Sequence, residues 1–154
     1  MKGKTLFVII VTLAALALIV AGPRGIANAA PGCTTATIAG SYGIASDGFV
    51  SSNISGQPQQ IGDFIPIAFA GTFSFDGHGV ASRAATLSFG GVINPFTDSG
   101  TYTVNSDCTG SAVFPGAGET WNLVIVGRGK EIKTLNATTG IVAAGVLTRQ
   151  KSEE

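Results

Sequence analysis

Downstream of residue 30 no window places apolar residues at the three-and-four spacing of a helix face. Alternation with the two-residue period of a strand recurs instead, broken repeatedly by glycine-bearing turns. The stretch 65–75 is the clearest case. Ile65, Ile67, Phe69, Phe73 and Phe75 occupy the odd positions around Gly71, while Ala68, Ala70, Thr72 and Ser74 occupy the even ones. Successive strand side chains point to opposite faces, so the odd face is the buried one. The pattern predicts eight strands, at about 40–50, 63–76, 80–90, 99–106, 110–115, 119–127, 130–136 and 141–149. Most connections between them have hairpin length, which favours an antiparallel meander. The exception is 51–62, a Ser-, Gly-, Gln- and Pro-rich stretch read as a long exposed loop; Gly90-Gly91 through Asp98 is read as one of the connections. The fold class expected is all-β, a single eight-stranded antiparallel up-and-down β-barrel. Closure removes the exposed edges of an open sheet; the alternative is a β-sandwich.

The first strands also set a register. A two-residue turn at Gly77-His78 would place Phe69 opposite Thr86 and Ile67 opposite Ser88. A three-residue loop Gly77-His78-Gly79, with Gly79 left-handed, places Phe69 opposite Leu87 and Ile67 opposite Phe89. The second register matches the bulky sets, and it turns Arg83 inward, opposite Phe73.

The N-terminus has a different character. Lys2 and Lys4 precede an apolar run over 5–21, and Ala27-Asn28-Ala29 supplies the small-x-small pattern of a signal peptidase site. We read 1–29 as a cleaved signal peptide, 30–150 as the barrel domain and 151–154 as a flexible tail. An uncleaved anchor or a lipoprotein signal at Cys33 fits the spacing less well. Secretion or periplasmic export follows, with no stable membrane insertion after cleavage. The formally neutral precursor then loses three bases and becomes acidic, with Arg83, Arg128, Lys130, Lys133, Arg149 and Lys151 against nine acids. Nucleic-acid binding needs clustered bases and is excluded as an expectation. Two cysteines in an exported chain imply a Cys33–Cys108 disulfide. Closing a loop of about 75 residues is worth roughly 4 to 5 kcal/mol in the chain-entropy model.

The chemical candidates are few. An inward Arg83 needs partners, because an unpaired buried charge costs several kcal/mol. Glu119 shares the parity of Trp121, Leu123 and Ile125 and is the one partner that strand parity offers. The simpler expectation is that Arg83 reaches solvent at a barrel end and Glu119 sits in a turn; the sharper one pairs them at the barrel mouth. His78 sits at a hairpin tip, and no Gly-x-Ser-x-Gly elbow is present. Asp47, Asp63, Asp76, Asp98 and Asp107 read as turn residues, and neither a metal set nor a cofactor motif appears. Asn53 and Asn136 open glycosylation acceptor triplets, which matter only in a eukaryotic host.

Several stretches resemble a family. These are Gly40-Ser41-Tyr42-Gly43, Phe75-Asp76-Gly77-His78-Gly79, the run over 99–110 with Gly100-Thr101-Tyr102-Thr103-Val104-Asn105 followed by Asp107-Cys108-Thr109-Gly110, and Gly129-Lys130-Glu131-Ile132. They resemble a group of small secreted bacterial proteins of acidobacterial type, a resemblance that carries no activity with it. More distantly, the strand plan is similar to calycin barrels such as lipocalins, with Tyr42 in place of the Trp of the lipocalin Gly-x-Trp start. It is also similar to the barrel of allene oxide cyclases and dirigent proteins. That is analogy of fold.

The functional reading with fewest assumptions is a structural or surface module with a packed core, because eight strands make a barrel just wide enough for side chains to fill. The alternatives are a barrel binding a small apolar ligand and, beyond that, a cofactor-free isomerase or cyclase. In those, inward Tyr42, Phe69, Phe73, Tyr102 and Trp121, with Ile44, Ile67 and Val104, line a cavity that Arg83 and Glu119 polarise.

Overall fold

The computed structural model describes residues 32–51 and 64–151. The expected signal peptide, the loop between the first two strands and most of the C-terminal tail lie outside the described residues. Eight strands follow in chain order: β1 (Gly40–Ser51), β2 (Phe64–Phe75), β3 (Val80–Phe89), β4 (Val92–Val104), β5 (Thr109–Phe114), β6 (Glu119–Val126), β7 (Glu131–Asn136) and β8 (Ile141–Arg149). Each pairs antiparallel with its neighbour in sequence. β8 returns to β1, with Tyr42 opposite Arg149 and Val50 opposite Ile141, so the sheet closes as a barrel. A sandwich is thereby excluded.

The β2–β3 register follows the hydrophobic pattern. Phe69 faces Leu87, Ile67 faces Phe89 and Phe73 faces Arg83. Gly77-His78-Gly79 forms the loop, with φ of +87° at Gly77 and +114° at Gly79. One Asp76 carboxylate oxygen accepts the backbone N–H groups of His78, Gly79 and Val80 at 2.7 to 2.9 Å. These bonds, that from His78 foremost, hold the carboxyl below the usual carboxylate range.

The fourth strand departs from expectation. Instead of starting near residue 99, β4 leaves a tight Gly90-Gly91 turn and runs through Asn94 and Pro95, pairing with β3 along its length. Proline is tolerated because of which side of the strand it loses its N–H from. Tyr102 donates its N–H to Gly79 on the β3 side, so the odd residues of β4 address the other side. There β5 pairs only from Thr101 to Val104. Pro95 therefore lies on a stretch with no paired strand across it among the described residues, where a missing donor breaks no ladder and blunts an edge. At Gly100 the strand runs so close to β5 that a Cβ would collide with the Val113 carbonyl oxygen.

One end of the barrel is plugged by a single 3-10 turn, Thr35–Ile38, which the strand pattern did not predict. Ile38 inserts fully into the core. The Tyr102 hydroxyl donates to the Thr35 carbonyl and accepts from the Gly77 N–H. Arg149 donates to the carbonyls of Thr37, Ala39 and Gly129 and lies over the Tyr42 ring, whose hydroxyl donates to Gly129 as well. The Cys33–Cys108 disulfide ties the segment just before the plug to the β4–β5 turn. Above the plug, Tyr42, Phe75, Tyr102, Phe73 and Phe114 pack edge to face, with Ile132 and Leu147 completing a filled half.

Two measurements check this arrangement. Gly79→Val forces a branched side chain into a positive-φ position and is expected to lower unfolding free energy by at least about 1 kcal/mol in urea; a variant that melts like the parent overturns the loop assignment. The chain's two tyrosines, Tyr42 and Tyr102, are both buried, and burial raises both phenols above their ordinary value. A raised native pKa leaves stability intact below the unfolded tyrosine value of about 10, and erodes it as pH climbs from there towards the native value. Phenolate absorbance should therefore rise only together with loss of the barrel's circular dichroism, whereas a step at the ordinary value in folded protein refutes the packing.

Candidate functional site

Arg83 is a charged residue buried in the barrel, with its side chain 2% exposed. Parity on β3 turns it inward, beside Phe73 on β2 and Asp98 on β4. Its Nη1 donates to Glu119 Oε2 at 2.7 Å and its Nη2 to Asp98 Oδ2 at 3.0 Å. The guanidinium carbon lies 4.1 Å from the centre of the Phe114 ring and 5.1 Å from that of Phe96. Glu119 Oε2 also accepts the Trp121 indole N–H at 2.9 Å, which holds the carboxylate to one side. The simpler expectation for this pair, both groups solvated, is thus corrected. Parity sends Arg83 into the interior, and the carboxylates keep only partial contact with solvent, 14% for Asp98 and 22% for Glu119.

Asp98 was legible only as a turn residue, because Asn94 and Pro95 hide the strand that carries it. Once β4 is extended back to Val92, Asp98 falls on the same inward parity as Gly100 and Tyr102. Asp47 is likewise in a strand, facing outward from β1, whereas Asp76 and Asp107 do sit in turns and accept local N–H groups. Asp63 lies outside the described residues.

Next to this cluster is a cavity of about 170 Å³. Arg83, Glu119, Trp121, Phe69 and Ile67 line it, as the barrel reading anticipates, and so do Leu87, Phe96, Asn136 and Ala143. Tyr42, Tyr102, Phe73, Ile44 and Val104 do not; they belong to, or pack against, the filled core. All of them share inward parity, so parity alone does not separate the two groups. Asn136 is buried, and its side-chain Oδ1 accepts the Thr138 N–H, so that acceptor triplet is not presented to a glycosylating enzyme. His78 stays exposed at its hairpin tip.

One polar atom in the cluster lacks a partner. Arg83 Nε is buried and makes no hydrogen bond among the described residues. A buried unpaired N–H costs about 1 to 3 kcal/mol, so it is the most informative atom in the barrel. A broader cleft at the plugged end passes over Ser41, Lys130, Arg149 and Lys151, but it opens on solvent and its arginine is already committed to backbone carbonyls. Among the described residues no group of three or more His, Cys, Asp or Glu is placed to hold a metal ion. No helix among them is long and apolar enough to cross a membrane.

Removing Arg83 leaves two carboxylates facing each other, and removing Glu119 leaves Asp98 as its remaining counter-ion. Arg83→Met is therefore expected to cost about 1 to 3 kcal/mol, Glu119→Gln less, and the double change less than the sum. A double-mutant cycle in urea should return a coupling of at least about 1 kcal/mol; a coupling near zero means the pair does not hold the interior. No family model, curated protein or solved structure matches the chain.

Proposed function

We propose that this barrel is a secreted or periplasmic binding module that takes a small, mainly apolar molecule into its open half. One observation carries the reading: an apolar cavity of about 170 Å³ whose lining includes the buried Arg83 cation and Glu119. Ligand sites combine an apolar lining with a few placed polar groups in this way, although most are larger. The size is adequate for a single ring, since an apolar protein cavity of about 150 Å³ accommodates benzene. The disulfide fits an oxidising compartment, and the disulfide-tied plug keeps the other half of the interior filled.

A second reading, a structural module with no ligand, draws support from the core itself. Among the described residues sixteen buried hydrophobic side chains form one cluster, and a void of this volume is tolerable in a domain held by a long-range disulfide. Catalysis has less to stand on: Glu119 is engaged by two donors at one oxygen, and among the described residues no second carboxylate or histidine lines the cavity.

Toluene distinguishes the two. Binding in the cavity should raise the melting temperature with toluene concentration and shift NMR signals of Phe69, Leu87 and Trp121. Ala143→Leu, which adds bulk to the lining, should weaken that binding at least about tenfold while the protein still melts cooperatively. If single-ring probes leave both the melt and the spectrum unchanged, the structural reading stands and the binding reading falls.

A further inference from the structure

We propose that the open end of the barrel docks reversibly on a lipid surface, and that the tip of the β3–β4 hairpin is the part that enters it. Val92 and Ile93 are the most exposed large apolar side chains among the described residues, at 64% and 63%. They are adjacent, and they follow directly on the Gly90-Gly91 turn. Their parities on β4 are opposite, so the hairpin is bare on both faces at its end. That two-sidedness selects the partner. A flat protein surface covers one face, and a strand added along the free edge of β4 covers neither. A fluid apolar phase covers both.

The distribution of charge supports the same partner and sets the orientation. Residues 84–97 carry no charged side chain, nor do residues 64–68, the start of the β2 strand that pairs beside the hairpin. The tip is also braced: the Gly90 N–H donates to the Pro66 carbonyl, and both turn glycines have positive φ, +56° and +89°, as a tight two-residue turn requires. Asn94, the amide nearest the tip, donates to the Val92 carbonyl within the hairpin. Charge begins at Asp98, roughly 20 Å along the strand from Val92, whereas interfacial apolar groups bury only about 5 to 10 Å into a bilayer. Val92 and Ile93 can therefore enter without dehydrating a carboxylate. Behind them Arg83, Asp98 and Glu119 sum to one negative charge, with both carboxylates partly exposed. That charge complements the ammonium of a zwitterionic headgroup and opposes an anionic one. The bases Lys130, Arg149 and Lys151 gather at the plugged end instead. Leu87, Phe89 and Phe96 of the same hairpin line the cavity, so an apolar molecule in the membrane would lie close to it. Docking itself rests on the hairpin alone, whether or not the cavity is filled.

The test is flotation of the mature chain, 30–154 with its disulfide, on vesicles of phosphatidylcholine alone and of phosphatidylcholine mixed with phosphatidylglycerol. Binding to phosphatidylcholine should survive high salt and weaken as phosphatidylglycerol is added. Val92→Ser combined with Ile93→Ser should lower the partition coefficient at least about tenfold while melting like the parent, because both side chains are exposed. Val80→Ser, at a position 55% exposed at the plugged end, should bind like the parent. In Ile93→Trp the added fluorescence should shift to the blue on vesicles and be quenched by brominated acyl chains, and in Val80→Trp it should do neither. Absence of binding to phosphatidylcholine overturns the proposal. So does binding that requires phosphatidylglycerol and is lost in salt, since the basic end then does the docking, and so does an equal loss in Val80→Ser. A concentration-dependent dimer that the double tip variant abolishes, found in place of vesicle binding, means that a second copy covers the tip, and the proposal fails.

Discussion

Closure between β1 and β8 is the constraint on which every other feature rests. Nine register pairs from Tyr42–Arg149 to Val50–Ile141 complete the sheet. Without them Tyr42, Ile44, Ala143 and Leu147 would line an open trough. With them, eight strands enclose a space about as wide as the side chains pointing into it. In such a space composition at each level decides between packing and void. Near the plug the levels are occupied by Tyr42, Phe75 and Tyr102, which interlock edge to face, and by Phe114, which packs edge to face with Phe73. Further up, Ala143 and Asn136 stand where larger apolar groups could have stood, and the cavity is the consequence.

The buried guanidinium is held by that same geometry. Two charge-assisted hydrogen bonds and the faces of Phe114 and Phe96 replace water around Arg83. A hydrocarbon in its place would need no counter-ions, and replacing buried ion pairs by well-packed apolar groups is often neutral or stabilising. Stability alone therefore does not explain an arginine here. Its planar fork does something a methionine cannot, fixing Asp98 on β4 and Glu119 on β6 to one centre across the short β4–β5 ladder.

Much of this was readable in the sequence, and the parts that were not share a cause. Alternation located seven strands to within a residue or two. Matching Phe69 with Leu87 and Ile67 with Phe89 selected the three-residue loop, and the same step aimed Arg83 inward. Pro95 conceals the first half of β4 because a proline normally argues against a strand, and it is acceptable here because one side of that stretch has no paired strand among the described residues. Losing that half-strand also lost Asp98 as a partner of Arg83. The 3-10 plug, Thr-Ala-Thr-Ile, is too short to show a period, and its sole signal is an isolated Ile38 before Gly40. Parity told which side chains face inward. It carried no information about depth, so Tyr42 and Tyr102 were grouped with Phe69 and Trp121 although they belong to different halves.

Depth has a further consequence for how the interior meets water. The plugged end is fastened by the disulfide, by Tyr102 and by Arg149, and Ile38 beneath it has no exposure. Around Arg83 the fastening is thinner. Four register pairs join β4 to β5, and beyond Gly100 the two part, with the β5–β6 turn resting against Asp98, whose Oδ1 lies 2.8 Å from where a Gly116 Cβ would be. Asp98 and Glu119 keep their residual exposure along that seam, while Arg83 behind them keeps almost none. Two carboxylates thus stand between solvent and the guanidinium.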